Sequence, residues 1–357
     1  MNNDQCYRMP NFPPNMVTIK SERGKIPQLR KCQTRPVADL EEPKALITIS
    51  LNWNAKNWPS TEYLRKEWRR FGFCWVNGER NQVYYRYPLG PLRFHLQINN
   101  LDSDSTSLFI SASYWRFPVR IGANWTARQH LKDIVEMKLV KEGYLTLHGA
   151  SLCSSKGDAA LIISPPDTGK SVTVLLGQKE GFRLITDDII LSDGVNLIPG
   201  MVDGQKIWSG AFLATKRGAK AKLQRTAIKM VQIAGLEAYD RVLIRLGGTP
   251  LSNTYSKTAP LKHIFFLTHG SNNTVTSMDR LDALRMLSYN QKAEFTWRSN
   301  PLILGYEYHT LALSLPHLEN REDELLETLV NKSDSCHIIQ AIHPKHFIEL
   351  IKEIFPP

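Results

Sequence analysis

An α/β fold, with a mainly β region ahead of a strand-loop-helix core, is what this sequence predicts, on three observations. Apolar runs of strand length in residues 45–117 are separated by Asn-Gly and Leu-Gly-Pro punctuation. Two compact apolar runs follow, YLTLHGASL and AALIIS, the second leading straight into a glycine-containing turn and a helical segment. Further on, the buried-type strand KHIFFLTHG precedes the helical segments DRLDALRML and PKHFIELIKEIF, the last amphipathic.

The composition is that of an ordinary globular chain. Of 357 residues, 42% are apolar and 22% charged, which argues against disorder, collagen and coiled coil. No apolar run approaches the roughly 20 residues that span a bilayer. The start, MNNDQCYRMPNFPPN, lacks the basic segment and apolar block of a signal peptide, so the expected location is cytoplasmic, away from membranes. Cys6, Cys32, Cys74, Cys153 and Cys336 are scattered, without a C-x-x-C pair, and read as reduced and mostly structural. The net charge of +11 favours an anionic partner, whether phosphate, acidic peptide or nucleic acid.

Residues 1–44 are rich in proline and charge without a sustained period and read as an irregular arm. An accessory α+β region is expected at 45–143. ALITISL is its first strand, and Ser60 and Thr61 after Pro59 start a helix over EYLRKEWRRF. GFCWVNG, QVYYRYPLG, PLRFHLQINN and TSLFISASYWRF are strands, and a helix at about Trp125–Lys141 closes the region. Residues 144–357 form the second domain.

The most informative segment is the apolar strand Ala159–Ile163 followed by Ser164-Pro165-Pro166-Asp167-Thr168-Gly169-Lys170-Ser171. It ends as a P-loop ends. Gly169 lets the backbone turn tightly against an anion, and the amides opening the next helix face the phosphates. Lys170 reaches the β and γ phosphates, and the Ser171 hydroxyl is a magnesium ligand. The usual first glycine is Ser164 here, and Pro165 and Pro166 offer no N–H. The plainer alternative is a Pro-Gly turn capped by Ser171.

Sixteen residues after Ser171 the apolar run FRLITDDIIL carries Asp187 and Asp188 side by side. Buried charges need partners, and magnesium with the loop lysine would supply them. One acid would position the metal and the other accept a proton from an attacking hydroxyl. Alternatively, both acids cap a turn at a strand end.

Leu147-His148-Gly149, the modified loop Ser164–Ser171 and Leu184-Ile185-Thr186-Asp187-Asp188 together resemble the kinase domain of HPr kinase/phosphorylase and its relatives, among them the kinases of lasso-peptide precursors. The likeness covers residues 144–194 and recurs more weakly through His263–Leu287. It implies a P-loop kinase core of the HPr kinase/phosphoenolpyruvate carboxykinase type, transferring the γ-phosphoryl of ATP to a serine hydroxyl of a peptide or protein. On that resemblance Asp167, Thr168, Gly169, Lys170 and Ser171 bind ATP, and Ser171 and Asp188 hold Mg2+. Asp187, Asp188 and His148 are the catalytic residues, although His148 on an apolar strand also reads as a core histidine. Val172 stands where HPr kinases carry an acid, which with Ser164 speaks against an HPr substrate and phosphorylase activity. A non-catalytic nucleotide-fold protein and a small-molecule hydroxyl kinase stay open as alternatives, as does self-association.

Between Gly204 and Leu236 lie seven Lys and Arg residues and no Asp or Glu. This stretch reads either as a flap that attracts ATP or an acidic peptide, or as a solvated loop. It lacks the aromatic interleaving of a single-strand nucleic-acid platform. The tryptophans Trp53, Trp58, Trp68, Trp75, Trp115 and Trp125 mark a core or a peptide groove.

Overall fold

A computed structural model describes residues 5–8, 16–21, 46–89, 92–116, 126–166, 168–187, 189–198 and 257–357. Its α/β chain divides into two compact units, Met1–Gly143 with Phe295–Glu322, and Tyr144–Glu294 with Asp323–Pro357. Among the described residues the helices in chain order are α1 (Thr61–Glu67), α2 (Ala112–Arg116), α3 (Ala127–Lys141), α4 (Lys170–Lys179), α5 (Arg280–Glu294), α6 (Pro301–Thr310), α7 (Leu315–Lys332) and α8 (Lys345–Ile354). Among the described residues no helix is long and apolar enough to cross a membrane.

The first unit is built on strands β1 (Gln5–Arg8), β2 (Val17–Ser21), β3 (Ile47–Asn52), β4 (Arg69–Phe71), β5 (Cys74–Asn77), β6 (Gln82–Leu89), β7 (Leu92–Asn99) and β8 (Ser105–Ile110). They form one sheet in the order β1-β2-β3-β8-β7-β6-β5-β4. Strict alternation turns Val17, Ile19, Ile47, Ile49, Leu96, Ile98, Leu108 and Ile110 into the core, while the residues between them stay more accessible. Two of these strands lie within the expected irregular arm. Five alternating residues among prolines give too short a period to stand out, yet β2 pairs in parallel with β3.

Local chemistry also shortens the expected helix and strand here. The helix capped by Ser60 stops at Glu67, because Arg69–Phe71 turn back at Gly72 (φ 55°) to pair with β5. The run expected as one strand over TSLFISASYWRF stops at Ile110, and Ala112–Arg116 coil into α2. Tryptophans serve mainly as core: Trp68 and Trp115 are buried, and Trp58 and Trp75 pack partly buried on the Leu64–Trp68–Tyr84 cluster. Trp125 lies outside the described residues.

Helix α3 is buried along nearly its whole length and brings polar side chains inside. Asp133 accepts from Asn300 Nδ2 at 2.7 Å, Gln129 Nε2 at 2.9 Å and Thr296 Oγ1 at 3.2 Å. Asn300 caps α6 by accepting from the Leu302 amide at 3.0 Å, and Pro301 follows at the position a helix start tolerates best.

The second unit carries β9 (Leu145–His148), β10 (Ala150–Cys153), β11 (Ala159–Ile163), β12 (Arg183–Thr186), β13 (Ile189–Ser192), β14 (Asn196–Ile198), β15 (Ala259–His269), β16 (Thr274–Met278) and β17 (Ser335–Ala341). The sheet path runs β12-β10-β11-β15-β14-β13-β9, with β17 also beside β15 and β16 beside β17. Both faces are covered, as the continuous apolar strands require. On one face Leu161 and Ile163 join Ala283 and Leu287 of α5 and Leu326 and Leu329 of α7. On the other, Ala160 and Ile162 meet Val174 of α4 and Phe347, Ile348 and Ile351 of α8. Each such large side chain contributes about 1.5–3 kcal/mol of transfer free energy before its ordering entropy is charged against it.

Two strands expected as continuous are broken, and at matching points. YLTLHGASL divides at Gly149 into β9 and β10, and FRLITDDIIL divides at Asp187 and Asp188 into β12 and β13. Beyond the breaks the same two segments pair antiparallel again, His148 opposite Ile189 and Ser151 opposite Thr186. Gly149 permits this because a Cβ there would sit 2.8 Å from the Ile162 carbonyl oxygen and 2.8 Å from Ile163 Cδ1.

Candidate functional site

Strand β11 ends where its hydrogen-bonding capacity ends. Pro165 and Pro166 have no amide to give a neighbouring strand, so the chain leaves the sheet at buried Ser164. Ser164 Oγ and Thr168 Oγ1 donate to the Pro165 carbonyl at 3.1 and 2.9 Å, tightening the loop. Gly169 then takes a left-handed conformation (φ 115°, ψ 17°), and a Cβ there would lie 2.7 Å from Pro344 Cβ. No other residue type suits both conditions.

Helix α4 begins at Lys170, and its N-cap, Gly169, provides no side-chain hydrogen bond. The first-turn amides have no acceptor within the helix, and the positive end of the helix dipole lies there. Lys170 turns back onto its own loop. Its Nζ donates to the Ser164 carbonyl at 2.6 Å, and the side chain is only 8% exposed. Ser171, half-buried, is the second residue of the helix. Asp167 lies outside the described residues.

Asp187 follows β12 directly and is buried, at 8% exposure. Thr186 Oγ1 donates to the Ile189 carbonyl at 3.0 Å, closing the turn at Asp187 between β12 and β13. Asp188 lies outside the described residues. Strand β10 is antiparallel to both β11 and β12, so those two run in the same direction with β10 between them. Ser151 is opposite Leu161 on one side and Thr186 on the other. Ser164 and Asp187 therefore leave the same end of the sheet from strands about 10 Å apart. Carboxyl ends of strands are where open α/β sheets bind ligands.

His148 ends β9 beside this turn, opposite Ile189. Its Nδ1 lies 3.1 Å from Glu294 Oε1, within ion-pair range although angled away from a well-aligned hydrogen bond. One turn earlier on α5, buried Gln291 donates from Nε2 to the Thr146 carbonyl at 2.8 Å. The last turn of α5 is thereby fastened along β9. Sequence reasoning passed over Gln291 and Glu294, which end an unremarkable helical stretch far from any motif.

The described residues hold no group of three or more His, Cys, Asp or Glu side chains placed for a metal ion. The donors at the sheet end, a serine hydroxyl and a carboxylate, are hard oxygen ligands of the kind magnesium takes. Cys74, Cys153 and Cys336 are buried free thiols. Burial pushes all three upward, Cys74 to about 12, so they are poor nucleophiles. The basic stretch 204–236 lies outside the described residues. No protein-family model and no curated protein matches the chain.

Proposed function

We propose that the chain is an ATP-dependent serine kinase with a P-loop core of the HPr kinase type, acting on a peptide or protein in the cytoplasm. The observation that carries this reading is the Ser164–Ser171 loop. A buried lysine stands at the mouth of a helix N-terminus without a side-chain cap, and its ammonium donates to a backbone carbonyl of the loop itself. A lysine held so is poised to exchange that carbonyl for a phosphate oxygen, while the α4 amides accept the rest of the anion's charge. Support also comes from the register that brings Asp187 to the same sheet end, and from the resemblance carried by Leu147–Gly149 and Asp187-Asp188.

In this reading Gly169 admits the phosphates, and Thr168 and Asp167 shape the loop around them. Ser171 and Asp188 would hold Mg2+, which when bound neutralises charge on the transferring phosphoryl group. Asp187 takes the proton of the acceptor serine, and His148 faces the γ-phosphate. A loose transition state leaves the protein mainly positioning and charge stabilisation to perform. Lys170→Ala and Asp187→Asn should each lower ATP-dependent phosphate transfer by about 100-fold or more. Unchanged transfer to every peptide, protein and small-molecule acceptor tested with labelled ATP would overturn the assignment.

A second reading, a non-catalytic scaffold, is favoured by Pro165 and Pro166, which remove two amides from the phosphate cradle. Thermal unfolding with Mg-ATP separates the two. A kinase gains about 2.7 kcal/mol at a ligand concentration of 100 Kd, and a scaffold that has lost the nucleotide gains nothing.

A further inference from the structure

We propose that Glu294 is a positioning residue for His148, a role that rests on the kinase reading of this site. Three observations lead to it. The Glu294 carboxylate lies 3.1 Å from His148 Nδ1. The side chains are 19% and 31% exposed, so solvent screens the pair only in part. The helix turn carrying Glu294 is fastened to the same strand by the Gln291–Thr146 hydrogen bond, which removes much of the entropy cost of holding a long carboxylate in one place.

Imidazole orientation in functional sites is commonly set by what faces the nitrogen that does no chemistry. A carboxylate 3.1 Å from Nδ1 favours a hydrogen on that nitrogen electrostatically, even without a well-aligned hydrogen bond, and so favours Nε2 as the nitrogen that faces the reacting group. Glu294 touches no reacting atom. It acts through His148.

The test uses the full-length protein and two readouts. Glu294→Gln keeps the shape and removes the charge; Glu294→Asp keeps the charge on a shorter arm. In steady-state transfer, E294Q should lower kcat by 10- to 100-fold with KM for ATP within about threefold, and E294D should recover part of the loss. In a His148→Ala background, E294Q should have no further effect, since a residue acting through another is not additive with it. Independently of turnover, 15N chemical shifts of the His148 ring should move toward the other tautomer in E294Q. Full additivity with His148→Ala, or unmoved ring shifts, overturns the proposal. If the wild-type protein transfers no phosphate, the kinase reading fails, while the ring shifts still decide whether Glu294 sets the imidazole.

Discussion

Glu136 sits inside α3 with 1% exposure, and Lys132 Nζ approaches no nearer than 3.4 Å. Burial pushes its carboxyl up to about 8, against the pull of Lys132. In the unfolded chain it ionises near the ordinary carboxylate range. Between those two values the folded state holds a proton that the unfolded state has lost, so rising pH withdraws stability until the folded group ionises near 8. Glu136→Gln should leave unfolding at pH 4 nearly unchanged and stabilise the protein at pH 9 by a few kcal/mol, on the order of the cost of charging a buried carboxyl. Urea titrations at the two pH values check this. An equal effect at both would mean that Glu136 ionises alike in both states. His130 opposes it: burial lowers its pKa to about 3, so its contribution is lost as pH falls below the ordinary histidine range.

Individual residues stand out where chemistry is local in sequence. Gly169, Lys170 and Ser171 adjoin one another, and Asp187 interrupts an apolar run, so their types and order mark them as candidates for an anion site. Glu294 could not be found that way. Its partner lies at the far end of another element, and an acid closing a helix is an ordinary sight.

At the scale of elements, periodicity found the long apolar strands and the helices α1, α3, α4, α5 and α8, passed over β1, β2, β14, β16, β17, α6 and α7, and placed ends poorly. What ended them was tertiary. Gly149 stands at the break between β9 and β10, where a Cβ would sit 2.8 Å from the Ile162 carbonyl oxygen, and Asp187 follows the end of β12 on the segment paired with it. No count of apolar residues registers such an event. The start of α6 is similarly determined. Asn300 accepts from the Leu302 amide, lies 3.1 Å from His130 Nδ1 and donates to Asp133 at 2.7 Å. Asn300→Ala removes the cap and leaves Asp133 short of a donor, so a loss of about 2–4 kcal/mol is expected. The midpoint of chemical denaturation measures it. A loss below about 1 kcal/mol would show that cap and carboxylate find other partners.

Across the whole molecule the chain passes from the first unit to the second, returns, and leaves again. Residues 295–322 belong with the first unit, where Trp297, Leu302, Ile303 and Tyr306 are buried. The sequence reading drew boundaries near residues 44 and 143 and none near 295 or 322, because the character of the sequence changes at the first two and no comparable change marks the return. A fragment of residues 144–357 would carry those four apolar side chains without the β5–β6 surface on which α6 packs. It should elute as aggregate and bind a hydrophobic dye, and the full chain should do neither. A monomeric, dye-free fragment would show that α6 finds cover elsewhere.

This threading sets a timetable for synthesis. A growing polypeptide normally completes its amino-terminal part while the remainder is still being translated. Here the first sheet stays without α6 until some three hundred residues have left the ribosome, and the second lacks β17 and α8 until about forty more have followed. Both halves must wait, half-dressed, for segments made after the bulk of each sheet. The newborn protein thus has a long interval in which chaperones have exposed apolar surface to hold.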